Sequence, residues 1–347
     1  MSTVQFAVVD IFSSTPYKGN PLAVVNDLAG TLSDTQMKLI TRQFNLSETT
    51  FFSKPQRDQA TYRLRSFLPD GREVFGIGHN ILGAWWYLAQ AGFLDFSTPS
   101  PWSESEHVEV YTFHQELGDS VMPVQILRTK GLGGEEAQYS VSLAQATPKV
   151  HGLHPDLASL AESVGLERED IGLPATSQDG RVSTLAPRVV STASTFHLLV
   201  PVKSASALDK VVVQRDKLLK QLSLADNRAY GIYLFTPHVS DDGENMPDTY
   251  RARFFSLGMS TEDPATGSAA GPLSAFLYHQ GHLRHVGRQA NMTVWQGQNL
   301  GRECGIQVKL SILGDSSEEE EIKVELRGDG VRISEGSVII PDSSLSF

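Results

Sequence analysis

Glu262-Asp-Pro-Ala-Thr-Gly-Ser-Ala-Ala-Gly271 places two carboxylates ahead of a run of small residues that leads into the apolar stretch from Pro272 to Leu277. The pattern predicts a loop turning into a helix. Gly267, Ala269, Ala270 and Gly271 allow another backbone or a ligand to approach closely, and the free N–H groups of a helix start attract anions such as carboxylates. A Gly/Ala-rich helix packed tightly against a sheet would read the same way, so this stretch alone leaves both readings open.

An internal repeat separates them. Tyr62-Arg-Leu-Arg-Ser-Phe67 recurs 188 positions later as Tyr250-Arg-Ala-Arg-Phe-Phe255. At an offset of 189, Glu73 matches Glu262, Gly78-His79 matches Gly267-Ser268, Tyr87-Leu88 matches Phe276-Leu277, and Gly92-Phe-Leu94 matches Gly281-His-Leu283. Each copy reads as a strand, a loop carrying Glu, a Gly followed by a small polar group, and a helix ended by Gly. A period this long means two related domains rather than a solenoid. The helix from Gly78 to Gly92, apolar on nearly all sides, is expected to be buried, as is its partner over Ala269 to Leu277. The polar groups at the two helix starts are then His79 in one copy and Asp263 with Ser268 in the other.

The 347 residues are enough for two cores, and 40% hydrophobic against 20% charged residues is a globular balance. No apolar run approaches the roughly 20 residues that span a bilayer. The N-terminus alternates like a strand and has no positive leader, which predicts a cytoplasmic protein with no membrane partner. The net charge of −11 argues against nucleic acid. Cys304 is the single cysteine, so neither a disulfide within the chain nor a cysteine metal cluster is available.

In the first half, strands are expected at Phe6–Phe12 and Leu22–Val25. A capping box, Ser33 with Gln36, starts a helix that stops near Asn45. Glu48 sits just where that helix passes into a β-rich run, a place where Glu is usually a solvated turn residue. Strands are also expected at Val108–Phe113 and Val121–Leu127. Lys130-Gly-Leu-Gly-Gly134 is the best linker, which divides the chain into domains 1–130 and 131–347, with the last strand near 337–347 able to return to the first. In the second half, strands at Val189–Val202 and Tyr230–Phe235 flank a helix over Ala207–Gln221. Closing strands are expected at Ile306–Leu313, Ile322–Leu326, Val331–Ser334 and Ser337–Ile340. The acidic run Glu318 to Glu321 reads as a solvated hairpin tip.

Asp10-Ile-Phe12 with Gly19-Asn-Pro-Leu-Ala-Val24, then Leu46-Ser-Glu-Thr49, Gly78-His79 and Glu262-Asp-Pro-Ala-Thr-Gly-Ser-Ala-Ala270, in that order, resemble the phenazine-biosynthesis PhzF-like family. The resemblance implies a diaminopimelate epimerase-like α+β fold. Its two pseudo-symmetric domains would each be a mostly antiparallel, barrel-like sheet around a central helix, with the site in the cleft between them. It also implies a cofactor-independent proton-transfer enzyme, usually a homodimer, acting on a small molecule. Glu48 would shuttle the proton with a pKa raised by burial, and His79 and Asp263 would orient or assist it. Ser47, Gly78, Gly267 and Ser268 would line the substrate site. The chain departs from the family at Glu73-Val-Phe-Gly-Ile-Gly-His-Asn80, where the family usually has Pro after the His, so the anthranilate-type reaction does not carry over automatically.

Rival chemistries fit less well. A two-thiol racemase needs a cysteine at each helix start, and Cys304 is in neither copy. A nucleotide site would need a Lys or a G-x-G-x-x-G turn beside Gly267 or Gly78, and the histidines have no zinc-ligand spacing. A lyase or cyclisation catalyst on the same fold stays open, as does a non-catalytic binding protein that kept the helix starts but has no need of Glu48.

Overall fold

The computed structural model describes residues 2–76, 78–101, 107–131, 136–176, 180, 182–193, 195–239, 245–256, 262–313 and 321–347. In chain order the elements begin with β1 (Thr3–Ile11), β2 (Asn20–Asn26), α1 (Asp34–Phe44), β3 (Thr49–Ser53), β4 (Tyr62–Phe67), β5 (Glu73–Val74) and α2 (His79–Gln90). There follow β6 (Val108–Leu117), β7 (Ser120–Thr129), β8 (Gln138–Gln145), β9 (Lys149–Leu153), α3 (Leu157–Ser163), β10 (Leu173–Thr176) and β11 (Val182–Leu185). Next come β12 (Arg188–Ser191), β13 (Phe196–Pro201), α4 (Ala205–Asp209), α5 (Arg215–Ala225), β14 (Gly231–Val239), β15 (Asn245–Ser256), β16 (Glu262–Asp263) and α6 (Gly267–His279). The chain closes with β17 (Gln289–Gln296), β18 (Cys304–Leu313), β19 (Glu321–Gly328) and β20 (Gly330–Ile339).

These elements form two compact units, Met1–Ala144 with Arg327–Phe347, and Gln145–Leu326. The first unit therefore runs past the expected break at 130. Its β8 pairs antiparallel with β7, from Gln125↔Ser142 to Thr129↔Gln138, and so stays with the first sheet. Of the expected linker, residues 132–134 lie outside the described residues, as do residues 318–320 of the acidic run.

In the first unit β1 pairs antiparallel with both β20 and β2, β2 parallel with β3, β3 antiparallel with β4, β4 parallel with β6, and β6 antiparallel with β7. In the second unit β12 pairs antiparallel with both β9 and β13, β13 parallel with β14, β14 antiparallel with β15, β15 parallel with β17, and β17 antiparallel with β18. The two patterns are the same. The pairing within each unit is mixed, because each contains two parallel joins.

The repeated residues make repeated contacts. Arg65 grips Glu73 through two bonds of 2.8 and 2.7 Å, and Arg253 grips Glu262 through two of 2.9 and 2.7 Å. Glu262 is thus held in an ion pair rather than presented to a ligand. The Tyr62 hydroxyl donates to the Phe93 carbonyl and that of Tyr250 to the His282 carbonyl. Both helices end alike: Gly92 and Gly281 have φ of 75° and 73°, which favours glycine, and the next N–H bonds back to Leu88 and Leu277 respectively.

Helix α2 is buried on nearly every side and packs against β1, β2, β3, β4, β7 and β20. The Trp85 indole N–H is satisfied by Gln115 at 2.8 Å, so the large ring is buried without an orphaned donor. Helix α6 is equally buried and packs against β9, β12, β13 and β18. Gly271 permits this packing, since a Cβ there would run into the Gln145 side chain.

Three expected elements differ. The single helix over 207–221 is two, α4 and α5, because Val211-Val-Val213 is a run of β-branched residues with poor helix propensity. The strand over 189–202 is the hairpin of β12 and β13, closed by Thr192 N–H to the Thr195 carbonyl at 2.9 Å. The two closing strands over 331–340 are one, β20, which runs along β1 with Gly336 facing Phe6.

Candidate active site

Helix α1 starts at the capping box of Ser33 and Gln36 and stops at Asn45, whose φ of 51° reverses the chain. That reversal delivers Ser47 and Glu48 to the head of β3, whose Thr49, Thr50, Phe51 and Phe52 are buried. His79 is the first residue of α2. The start of α2 is pinned by Thr50, whose hydroxyl meets Ser66 Oγ at 2.8 Å and the Asn80 carbonyl at 3.3 Å.

These two placements bring Glu48 Oε2 to 3.2 Å from His79 Nε2. The imidazole is almost fully covered, while the Glu48 side chain keeps a fifth of its surface exposed. Burial pushes the His79 pKa down to about 4, so the ring is neutral near pH 7. The two atoms are close but not aligned as a hydrogen bond, so a proton passes between them only when the imidazole or the carboxyl group turns. Glu48 is the less buried of the two, although its oxygen that faces His79 is covered.

Gly78 is the N-cap of α2 and has no side chain to bond the first-turn N–H groups. Ser47 is half-buried beside Glu48. In the second unit Thr266 is the N-cap of α6 and also makes no side-chain cap. Its hydroxyl instead donates to Asp263 Oδ2 at 2.5 Å, and its N–H donates to Gln296 Oε1 at 3.1 Å. Gln296 in turn donates to the Asp263 carbonyl at 2.7 Å, so Asp263 is fixed from both ends of one amide-centred network. Gly267 and Ser268 open α6, the Gly267 carbonyl accepting from Gln145 at 3.1 Å. Ser268 Oγ lies 3.2 Å from His197 Nε2.

The structure therefore places Glu48 against His79 in the first unit, and gathers Asp263, Gly267 and Ser268 at the start of α6 in the second. Sequence reasoning missed Thr266, Gln296 and His197 as supporting groups. Thr266 stood in the quoted motif, but nothing in the sequence links it to Gln296 or Ser268 to His197, because strand pairing alone sets those neighbours.

Residues 9–336 match the family described as phenazine biosynthesis-like protein, PhzC-PhzF. An uncharacterized isomerase of Bacillus subtilis, YfhB, is 25% identical over 95% of this chain and 97% of its own. The trans-2,3-dihydro-3-hydroxyanthranilate isomerase of Pseudomonas chlororaphis is 26% identical over 96% of this chain and 99% of its own. The crystal structure of a PhzF-family phenazine biosynthesis protein from Bacillus anthracis superposes with a TM-score of 0.75 at 22% identity, covering 98% of this chain and all of that one. The ordered motifs, the duplicated sheet and a match over nearly the whole length agree: this chain belongs to the PhzC-PhzF family of phenazine biosynthesis-like proteins and stands among its isomerases.

Proposed function

We propose that this protein is a cofactor-independent isomerase or epimerase that moves a proton between positions of a small carboxylate- or carbonyl-bearing metabolite, in secondary-metabolite biosynthesis. The observation that carries the reading is the 3.2 Å approach of Glu48 Oε2 to His79 Nε2, with Glu48 the less buried side chain of the two. In this reading Glu48 removes a proton from carbon and returns it to a second position on the same molecule. His79, held neutral by burial, shares the proton while the substrate rearranges. In the second unit Asp263, fixed by Thr266, is the corresponding acid/base group. Each unit has its own groups for a carboxylate or a developing oxyanion, Ser47 and the first-turn N–H groups after Gly78 in the first, Ser268 and those after Gly267 in the second.

The relative from Pseudomonas chlororaphis acts, by its name, on a carboxylate-bearing ring, which supports a substrate of that chemical class here. The same reading takes each mixed sheet as barrel-like around its central helix, and the protein as a cytoplasmic homodimer. The test is incubation with a panel of small carboxylates and carbonyl metabolites in D₂O, without added cofactor, followed by mass spectrometry. Deuterium entering a metabolite at carbon supports proton transfer. Turnover whose product has lost a group or closed a ring, with no deuterium at carbon, would replace the isomerase with a lyase or cyclisation catalyst.

A further inference from the structure

We infer that His197 is the positioning residue of Ser268, fixing the serine hydroxyl at the start of α6 so that its remaining hydrogen-bonding capacity is turned to the substrate. The inference rests on the proposed role of Ser268 in substrate binding and names the group that orients it.

His197 lies on β13 with none of its surface exposed. Its Nε2 is 3.2 Å from Ser268 Oγ and 3.3 Å from the Tyr230 hydroxyl, and its ring stands edge-on to Phe254 with centroids 5.2 Å apart. Among the described residues Nδ1 has no hydrogen-bond partner. A buried nitrogen left unbonded costs stability, so a residue kept only for packing would be apolar.

The first unit has that apolar residue. Thr49 faces Phe67 across the β3–β4 pair, and Ile232 faces Phe255, the repeat of Phe67, across β14–β15. Thr49 faces Ala23 and Ile232 faces Leu198, so one step back along the strands Leu22 is the counterpart of His197. By the same register the counterpart of Glu48 is Gly231. No side chain fits there, since a Cβ on Gly231 would come 2.3 Å from Phe254 Cζ. The second unit cannot repeat the carboxylate of the first, and its ionisable ring comes from the neighbouring strand instead.

Pro272 adds an independent reason. It has no N–H, so the Ser268 carbonyl four residues earlier lacks the usual helical bond. That main chain also acts on the His197 ring, favouring its protonated form, although burial dominates and holds the pKa down at about 3. The neutral imidazole thus stands beside the one residue of this helix start whose carbonyl Pro272 leaves without a helical donor, and bonds it at the hydroxyl.

The experiment titrates benzoate, a small carboxylate, into ¹⁵N-labelled wild type, His197→Leu and His197→Gln, following the Gly267 and Ser268 amide signals and recording Tm. His197→Leu is expected to weaken benzoate binding about five- to tenfold, the worth of one hydrogen bond, with Tm unchanged or raised. His197→Gln, which can still bond the hydroxyl, recovers part of the loss. Lowered Tm with wild-type binding in His197→Leu would overturn the inference, because that is the signature of a structural histidine. If benzoate leaves both wild-type amides unmoved, the carboxylate-binding reading fails, and the imidazole signals decide the inference alone. Ser268→Ala then shifts the His197 Nε2 resonance, and an unchanged resonance overturns it.

Discussion

His79 and His197 are both buried, and burial pushes their pKa values down to about 4 and about 3. A histidine in an unfolded chain titrates near 6.5, so below that pH the unfolded state takes up protons that the native state does not. The contribution of each ring to stability is fully present above pH 6.5 and is lost as pH falls toward the native value. For His79 the loss between pH 6.5 and 4 is roughly 3 kcal/mol. Tm is therefore expected to fall steadily across that window, and His197→Leu should flatten the slope. Parallel Tm-against-pH curves for wild type and variant would contradict this. At this scale Glu48, His79, Asp263 and Ser268 were legible in the sequence, because ordered motifs and the repeat mark them. Gln296 was not: it reaches Asp263 and Thr266 only because β17 pairs with β15 in parallel, a long-range register that no local pattern encodes.

Each copy of the repeat ties its strand, its short β-segment and a neighbouring helix together through one arginine. Arg65 bonds Glu73 and also Asp34 in the first turn of α1, at 2.6 Å. Arg253 bonds Glu262 and also the carbonyls of Leu208 and Val211 at the end of α4, at 2.9 and 3.1 Å. The pairs differ in burial: the side chains of Arg253 and Glu262 are 10% and 6% exposed, against 17% and 25% for Arg65 and Glu73. Removing one partner of a buried pair strands a charge and costs about 3–5 kcal/mol, while better solvated pairs lose less. Glu262→Ala is therefore expected to lower stability more than Glu73→Ala, by denaturant melts of the two variants. Equal losses would show that the second pair gains nothing from its depth. Elements with strong local signals were read correctly in the sequence: α1 from its capping box, α2 from its all-round apolar face. The break between α4 and α5 and the continuity of β20 were not. The first depends on three valines inside an otherwise helical pattern, and the second on Phe6 of β1 covering Gly336.

Across the whole molecule, duplication was visible from a handful of identical residues, and the strand pairings repeat it element for element in the two units. The unit boundary was less legible. The Gly-rich stretch near 130 draws the eye, yet the hydrogen bonds of β8 carry the first unit to Ala144, and β20 returns the chain to it from Arg327. The two copies have also diverged, with a carboxylate at Glu48 where the second has Gly231, and Asp263 where the first has Val74. No described helix is long and apolar enough to cross a membrane, and a formal charge of −11 favours small, locally held substrates over polyanions. The central claim is that Glu48 carries the proton. Its most direct measurement is the rate of deuterium incorporation from D₂O into a turned-over metabolite, compared between wild type and Glu48→Gln. The account predicts a fall of roughly 10² to 10⁴, the usual worth of general acid/base catalysis, with the fold intact. Incorporation by Glu48→Gln within about tenfold of wild type would contradict it.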